Sequence, residues 1–458
     1  MYRNLLKASL CVGIAAAVTG QAFSQAKPAA TASKPGQLDT IIEGVHTTAG
    51  RAVAGIPVNY DEAQVGKYTL PDILTTQNGK KVTDKKTWLN VRRPEIVKLF
   101  ETYQYGKMPP APAKLNYIVF DKGTSVFDGK ATRKQIRIYL TPTDTARHYM
   151  DLLVYLPANS TKPAPIVLLI NFSPNSTSVI GGDPGVRPGT TTSPTGEKIP
   201  ARRGFGGTDV KRILAEGFGV GMIYYGDIEP DFLNGYKYGV RGYYSKPQGS
   251  YPKDDEWGAI SAWSWGLSRA MDYMEKDKQI DAKRVALQGV SRLGKTVLWT
   301  GAHDTRFKMV LESCSGEGGG ALSRRNFGEN IKHMTDSTRY FYQFAANWHK
   351  YANDFNASPV DAHMLVSLMA GRYLLMQTGN QDLWSDPHGE FLAAKAAQPV
   401  FNMFGQQGPG DAPWTKGNDE SLAYNPLGYY MHIGGHGSTR TDRTNDWDVY
   451  LKYMKKFL

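Results

Sequence analysis

Cysteine is nearly missing from this chain of 458 residues: only Cys11 and Cys314 occur. Cys11 lies inside what reads as a secretory leader, so the mature chain would hold one thiol and no internal disulfide. No Cys/His cluster has zinc-ligand spacing, so no structural metal is indicated, and no cofactor is expected. Long Lys/Arg runs are also missing, although the formal charge is +12. Losing Arg3 and Lys7 with the leader (12 − 2) leaves about +10. Scattered basic residues argue against nucleic-acid binding, while a basic surface suits an anionic polysaccharide. No internal repeat is visible.

Residues 1–26 read as a signal peptide. Arg3 and Lys7 precede an apolar stretch over 11–18, and Ala22-Phe-Ser-Gln-Ala26 follows. That stretch is too short to span a bilayer comfortably, and no lipid-anchor cysteine follows it. Export to a periplasm or beyond is expected, with no membrane association after leader removal. Residues 27–37, rich in Lys, Pro, Ala and Thr, form a linker that cannot pack a core. Residues 38–458 are then expected to form one catalytic domain, acting as a monomer.

The rest of the chain is ordered by its hydrophobic patterning. A helix-like run covers 94–103, and β-type segments at 115–120, 134–140 and 150–156 form a β-rich N-terminal extension. The unbroken apolar run 166–171 suits a strand buried on both faces. A Gly/Pro/Thr-rich loop at 173–206 follows, long enough to be functional. From Val210 onward strands and helices alternate: strand 219–225, helix 257–276, strands at 308–312 and 372–377, and a closing helix at 445–457. That alternation predicts an α/β three-layer sandwich around a mostly parallel sheet.

The most telling segment is Arg284-Val-Ala-Leu-Gln-Gly-Val-Ser291-Arg-Leu-Gly-Lys-Thr. An apolar strand runs into Gly289, a serine occupies the turn, and Gly294 lies in the helix that follows. This is the layout of a nucleophile elbow, with spacing G-x-S-x-x-G rather than G-x-S-x-G. Ser291 therefore becomes the candidate nucleophile, and a base must take its proton. His436, in the flexible Gly434-Gly-His-Gly-Ser438 loop before the last helix, is the candidate base. His432 reads as a packed core residue, and His388 lies in a surface-like Asp-Pro-His. For the acid, Glu312, Glu317, Asp361 and Asp382 compete. Asp361 opens an apolar helical run, where aspartate also serves as a cap. Asp382 follows a strand by a few residues, the usual place for the acid, yet its setting suits a plain turn. The pattern alone does not choose between these two.

Gly289-Val-Ser-Arg-Leu-Gly-Lys-Thr296 resembles the Gly-Cys-Ser-Arg-x-Gly-Lys motif of glucuronoyl esterases, carbohydrate esterase family 15, in its bacterial branch. The likeness runs from about Tyr68 to the C-terminus. It takes in the tryptophan-rich segment 257–270, Leu322-Ser-Arg-Arg-Asn-Phe-Gly-Glu329, Pro359-Val-Asp-Ala-His-Met-Leu365 and Asp382-Leu-Trp-Ser-Asp-Pro387. The resemblance implies an α/β hydrolase that cleaves the ester between the 4-O-methyl-glucuronic acid carboxyl of glucuronoxylan and lignin alcohols. By motif matching, Ser291 is the nucleophile, His436 the base, Arg292 an oxyanion holder, and Lys295 and Trp384 substrate contacts. Asn171-Phe172 stands where a second oxyanion amide is expected.

One departure stands out. Many members carry a glutamate where this chain has Cys314, and a thiol cannot orient a histidine as a carboxylate does. The resemblance therefore points to the aspartate of the Pro-Val-Asp-x-His motif, Asp361, as the triad acid. Three rival readings of the same scaffold are a xylan acetyl esterase, a catalytically weak polysaccharide-binding homologue, and a peptidase. The peptidase has no motif beyond the elbow.

Overall fold

The structure, a computed structural model, describes residues 52–143, 148–158, 160–189, 207–249, 253–437 and 446–458, with the backbone of two short strands at Thr40–Ile42 and Val45–Thr47. The expected leader and linker lie outside these residues, as does 190–206 of the long loop.

Among the described residues, nine strands form one sheet. They are β1 (Asn116–Val126), β2 (Ala131–Tyr139), β3 (Tyr149–Pro157), β4 (Ala164–Asn171), β5 (Gly219–Tyr224), β6 (Ile280–Val290), β7 (Met309–Ser313), β8 (Tyr373–Gly379) and β9 (Leu427–His432). Their spatial order is β9-β8-β7-β6-β4-β5-β3-β2-β1. From β9 to β5 every pairing is parallel; from β5 to β1 every pairing is antiparallel. The β-rich segment expected as an N-terminal extension is thus the antiparallel arm of the central sheet itself. The segment Leu427–His432, not read from sequence as a strand, is a ninth strand at the opposite edge.

The central strands show why the sheet is covered on both faces. In β4, Ile166, Leu168 and Ile170 enter one core cluster, and Val167 and Leu169 enter another. In β6, Val285 and Leu287 face the first cluster and Ala286 the second. Each fully buried aliphatic side chain contributes about 1.5–3 kcal/mol, so a strand of this kind is stable only between two helical layers. One layer includes α1 (Arg93–Tyr103), α3 (Ala259–Met274) and α4 (Arg292–His303); the other includes α2 (Val210–Ala215) and α7 (Asp446–Phe457). Trp263, Leu267, Ala270 and Met271 of α3 are buried in the first layer, as their helical spacing predicts. In α7, Val449, Tyr450, Tyr453 and Met454 make the equivalent stripe. Two more helices, α5 (Ala362–Ser367) just before β8 and α6 (Pro387–Met403) just after it, pack on each other.

Candidate active site

The parallel block brings the carboxyl ends of β6, β7, β8 and β9 side by side, with Val290 opposite Ser313, Ser313 opposite Gln377 and Gln377 opposite Tyr430. Open α/β sheets hold their chemistry at this edge, where successive loops converge. Ser291 sits there with φ 60° and ψ −129°, a strained left-handed backbone for a residue with a Cβ. Two bonds hold it: its N–H donates to Ser313 O at 2.8 Å, and its carbonyl accepts from Lys295 N at 3.0 Å. The glycine spacing has a steric cause. A Cβ on Gly289 would lie 2.3 Å from Leu293 O, and one on Gly294 would lie 2.7 Å from Ser313 O. The odd glycine therefore lets the helix approach the same carbonyl that fixes the serine.

His436 lies in the turn after β9, and its Nδ1 is 2.6 Å from Asp382 Oδ2. The two loops carrying the pair are laced together. Asn380 N donates to His432 O, Gln381 N to Gly434 O, and Gly434 N to Asn380 Oδ1, at 2.9–3.0 Å. Ser385 Oγ lies 3.3 Å from the same Nδ1. Asp382 is fully buried, and burial alone would raise its pKa. The charge and hydrogen bond of His436, helped by Ser385 and Cys314, outweigh that and hold the carboxyl below its usual range.

Asp361, expected as the acid, is elsewhere. Its Oδ1 accepts from Ser323 N at 2.9 Å and from Ala362 N at 2.7 Å, while its Oδ2 meets Arg324 Nη1 at 3.0 Å. It caps α5 and neutralises a buried arginine, and Asp382 holds the place beside His436. The other carboxylates are also committed: Glu312 accepts from Ser315 N at 2.8 Å and Glu317 from Ser323 Oγ at 2.6 Å. His432 is fully buried and bonded to Gln377 and to Gly435 O, which supports the loop of His436. His388 pairs with Glu62 and stacks on Trp414.

Cys314 packs beneath the histidine loop, with Gly437 N donating to its Sγ at 3.2 Å. The donor atoms of Cys314, Asp382 and His436 lie within 4.8 Å of one another, the spacing of a metal cluster. Their chemistry is different. The imidazole and carboxylate already share a hydrogen bond, and burial pushes the thiol pKa well up, so the sulfur is a neutral donor and a poor metal ligand.

The cations expected near Ser291 are there. Arg292 opens α4, buried, with Nη1 2.7 Å from Asp231 Oδ2 and its guanidinium 4.4 Å from the centre of the Tyr340 ring. Phe172, just past β4, places its ring 6.0 Å from the same guanidinium. The side-chain amide nitrogen of neighbouring Asn171 is buried without a hydrogen-bond partner. Lys295, one turn into α4, is buried with Nζ 3.9 Å from Glu329 Oε2. Burial lowers its pKa, against the pull of Glu329.

Trp384 is 5 % exposed, and its carbonyl accepts from Glu329 N at 2.8 Å. Arg339 completes this wall, at 3.0 Å from Glu329 Oε1, with its guanidinium 5.3 Å from the Trp384 ring and 4.9 Å from that of Tyr340. A continuous chain of contacts thus joins Arg292, Tyr340, Arg339, Glu329 and Lys295. Asp231, Glu329, Arg339 and Tyr340 were not singled out from sequence, because Asp231 comes from the loop after β5 and the other three from the stretch 329–340, both far from the elbow in the chain. Only Glu329 had a signal there, as the last residue of a segment already quoted for the resemblance.

Comparison with known proteins agrees with this geometry. A family model described as "Glucuronyl esterase, fungi" matches residues 232–405. A carbohydrate esterase from an unknown prokaryotic organism is 42% identical over 403 residues, 86% of this chain and 91% of that protein. The solved structure of a glucuronoyl esterase from Solibacter usitatus superposes with a TM-score of 0.77 at 41% identity, covering 86% of this chain and 99% of that one. The 4-O-methyl-glucuronoyl methylesterase of Hypocrea jecorina (strain QM6a) is 26% identical over 85% of this chain and 70% of its own length. On the elbow, the buried cations after it and these likenesses, the chain belongs to the glucuronoyl esterases of carbohydrate esterase family 15.

Proposed function

We propose that this protein hydrolyses the ester joining the C6 carboxyl of 4-O-methyl-glucuronic acid on glucuronoxylan to a lignin alcohol. The observation that carries the reading is the pair of buried cations, Arg292 and Lys295, placed one and four residues past a strained serine. His436, kept in one tautomer by the Asp382 carboxylate on Nδ1, takes the proton of Ser291 at its other nitrogen. The Ser291 oxygen attacks the C6 carbonyl, and the developing oxyanion is met by Arg292. A fixed cation there favours the transition state over the neutral ester, which is the condition for catalysis. His436 returns its proton to the departing alcohol, and water, deprotonated by the same imidazole, cleaves the acyl-enzyme. Lys295 and Glu329 beside Trp384 offer a donor and an acceptor to sugar hydroxyls.

The name of the Hypocrea jecorina relative supports the uronate as the acyl part. Residues 1–26 direct export, in this reading, to the compartment where the polymer is met.

The test is hydrolysis of a benzyl glucuronate ester by wild type and Ser291→Ala, with acetylated xylan as the competing substrate. Turnover of the benzyl ester by wild type alone is expected. Equal rates for the two proteins refute the enzyme reading, and preference for acetylated xylan refutes the uronate.

A further inference from the structure

Arg292 is a long side chain with several rotatable bonds, yet an oxyanion donor works only if it is aimed before the charge appears. What aims it is Asp231, in the loop past β5. Its side chain is 1% exposed, and both of its oxygens are doubly engaged. Oδ2 accepts from Arg292 Nη1 at 2.7 Å and from Tyr225 OH at 3.1 Å. Oδ1 accepts from Tyr342 OH at 2.7 Å and from Gln343 Nε2 at 2.8 Å. The donors come from Tyr225 just past β5, the first residue of α4 and the short turn Phe341–Gln343. A carboxylate fixed by three neutral donors cannot follow a moving guanidinium, so the guanidinium must conform to it. The faces of Tyr340 and Phe172 then restrict the plane of the cation.

We infer that Asp231 is the positioning residue for Arg292, setting the orientation from which the arginine meets the oxyanion. This rests on the oxyanion reading of Arg292 given above. The carboxylate touches no reacting atom, so its effect belongs in turnover and must pass through the arginine. A residue that only stapled three loops together would act on stability and would not depend on Arg292.

The experiment is a double-mutant cycle on benzyl glucuronate ester with wild type, Asp231→Asn, Arg292→Ala and the double variant, each checked by thermal melting. Asp231→Asn is expected to lower kcat about 10–100-fold with KM within about threefold, as for a misdirected oxyanion donor. In the Arg292→Ala background the same change should cost less than about threefold, because coupled residues are not additive. The inference is overturned if Asp231→Asn keeps wild-type kcat, or if it costs as much without Arg292 as with it. If Arg292→Ala itself keeps wild-type kcat, the oxyanion reading falls first, and that arm shows it independently of Asp231. Should Asp231→Asn fail to fold, Tyr342→Phe loosens the carboxylate while keeping its charge. A kcat loss of about 3–10-fold that vanishes in the Arg292→Ala background supports the inference, and an unchanged kcat overturns it.

Discussion

Asp382→Asn and Asp361→Asn separate the two carboxylates that sequence reasoning left in competition. At position 382 an amide would face Nδ1 of His436 at 2.6 Å in place of a charge. With its NH2 turned to the ring it forces the proton onto the other nitrogen, which then cannot accept from Ser291. Even in the correct tautomer, the imidazolium formed during attack loses its counter-ion. Two charges with centres about 4 Å apart interact by about 4 kcal/mol at an effective dielectric of 20. At 1.36 kcal/mol per decade that is a fall in kcat of about 10³-fold. Asp361→Asn instead strips the counter-charge from buried Arg324, whose side chain is 5% exposed. Breaking such a pair costs about 3–5 kcal/mol of stability, while turnover per folded molecule stays near wild type. The assay is kcat on the benzyl ester, normalised to folded protein from thermal unfolding at the same temperature. Full turnover in Asp382→Asn, with loss of turnover in a normally melting Asp361→Asn, refutes the assignment.

Gly294→Ala should lower both kcat and melting temperature. Alanine gains about 1 kcal/mol of helix propensity over glycine, but its Cβ at 2.7 Å from Ser313 O must displace the carbonyl that holds Ser291; a variant melting at or above wild type contradicts the steric reading. The lowered pKa of buried Lys295 means its charge is lost at a lower pH than the ordinary 10.5, so KM should rise early on the alkaline side; a Lys295→Gln variant should show a flat profile, and a rise there assigns the effect to another group. Stability should peak on the acid side of neutral. Burial raises Glu312 and Asp227 to about 7 and pushes Glu317 and Glu390 up as well, so the native state binds more protons than the unfolded chain between about pH 4 and 7. Their destabilising effect fades as pH falls through that window, whereas the depressed Asp382 contributes stability above its unfolded pKa that is lost in stronger acid. Melting curves that rise steadily from pH 5 to 8.5 would count against this.

Much of the parallel block was legible because its strands carry unbroken apolar runs, as in β4, and its helices carry stripes, as in α3. The turn at Ser291 was legible from its chemistry: a serine between a buried strand and a glycine-bearing helix is the layout of a nucleophile elbow. His436 was legible because a glycine-rich loop near the last helix is where a base is free to orient. The acid was not. Asp382 follows an apolar strand and Asp361 opens an apolar helical run, and the local cap that Asp361 makes is as compatible with its sequence as a catalytic role. What decides is which loop is laced to the turn of His436, and that lacing runs between Asn380 and Gly434, 54 residues apart. Asp231 was invisible for a similar reason: its four donors come from three separate stretches of chain.

Cys314 and Asp382 occupy the ends of neighbouring strands beneath the same histidine loop, and this explains why the thiol is compatible with a working site. Position 314 touches that loop through Gly437 N, and position 382 touches it through Nδ1 of His436. Either strand end is therefore close enough to present a carboxylate to the imidazole. Both cannot do so at once at neutral pH. Two carboxylates within 4.8 Å, both buried, would repel by about 3.5 kcal/mol at an effective dielectric of 20. One would take up a proton and compete with His436 for the charge it needs. With Asp382 ionised, a neutral group that donates a hydrogen bond to it is the better neighbour, and the protonated thiol of Cys314 is such a group. In the proposed mechanism the glutamate absent from position 314 is thus no mark of lost catalysis, because the carboxylate beside His436 comes from the end of the next strand.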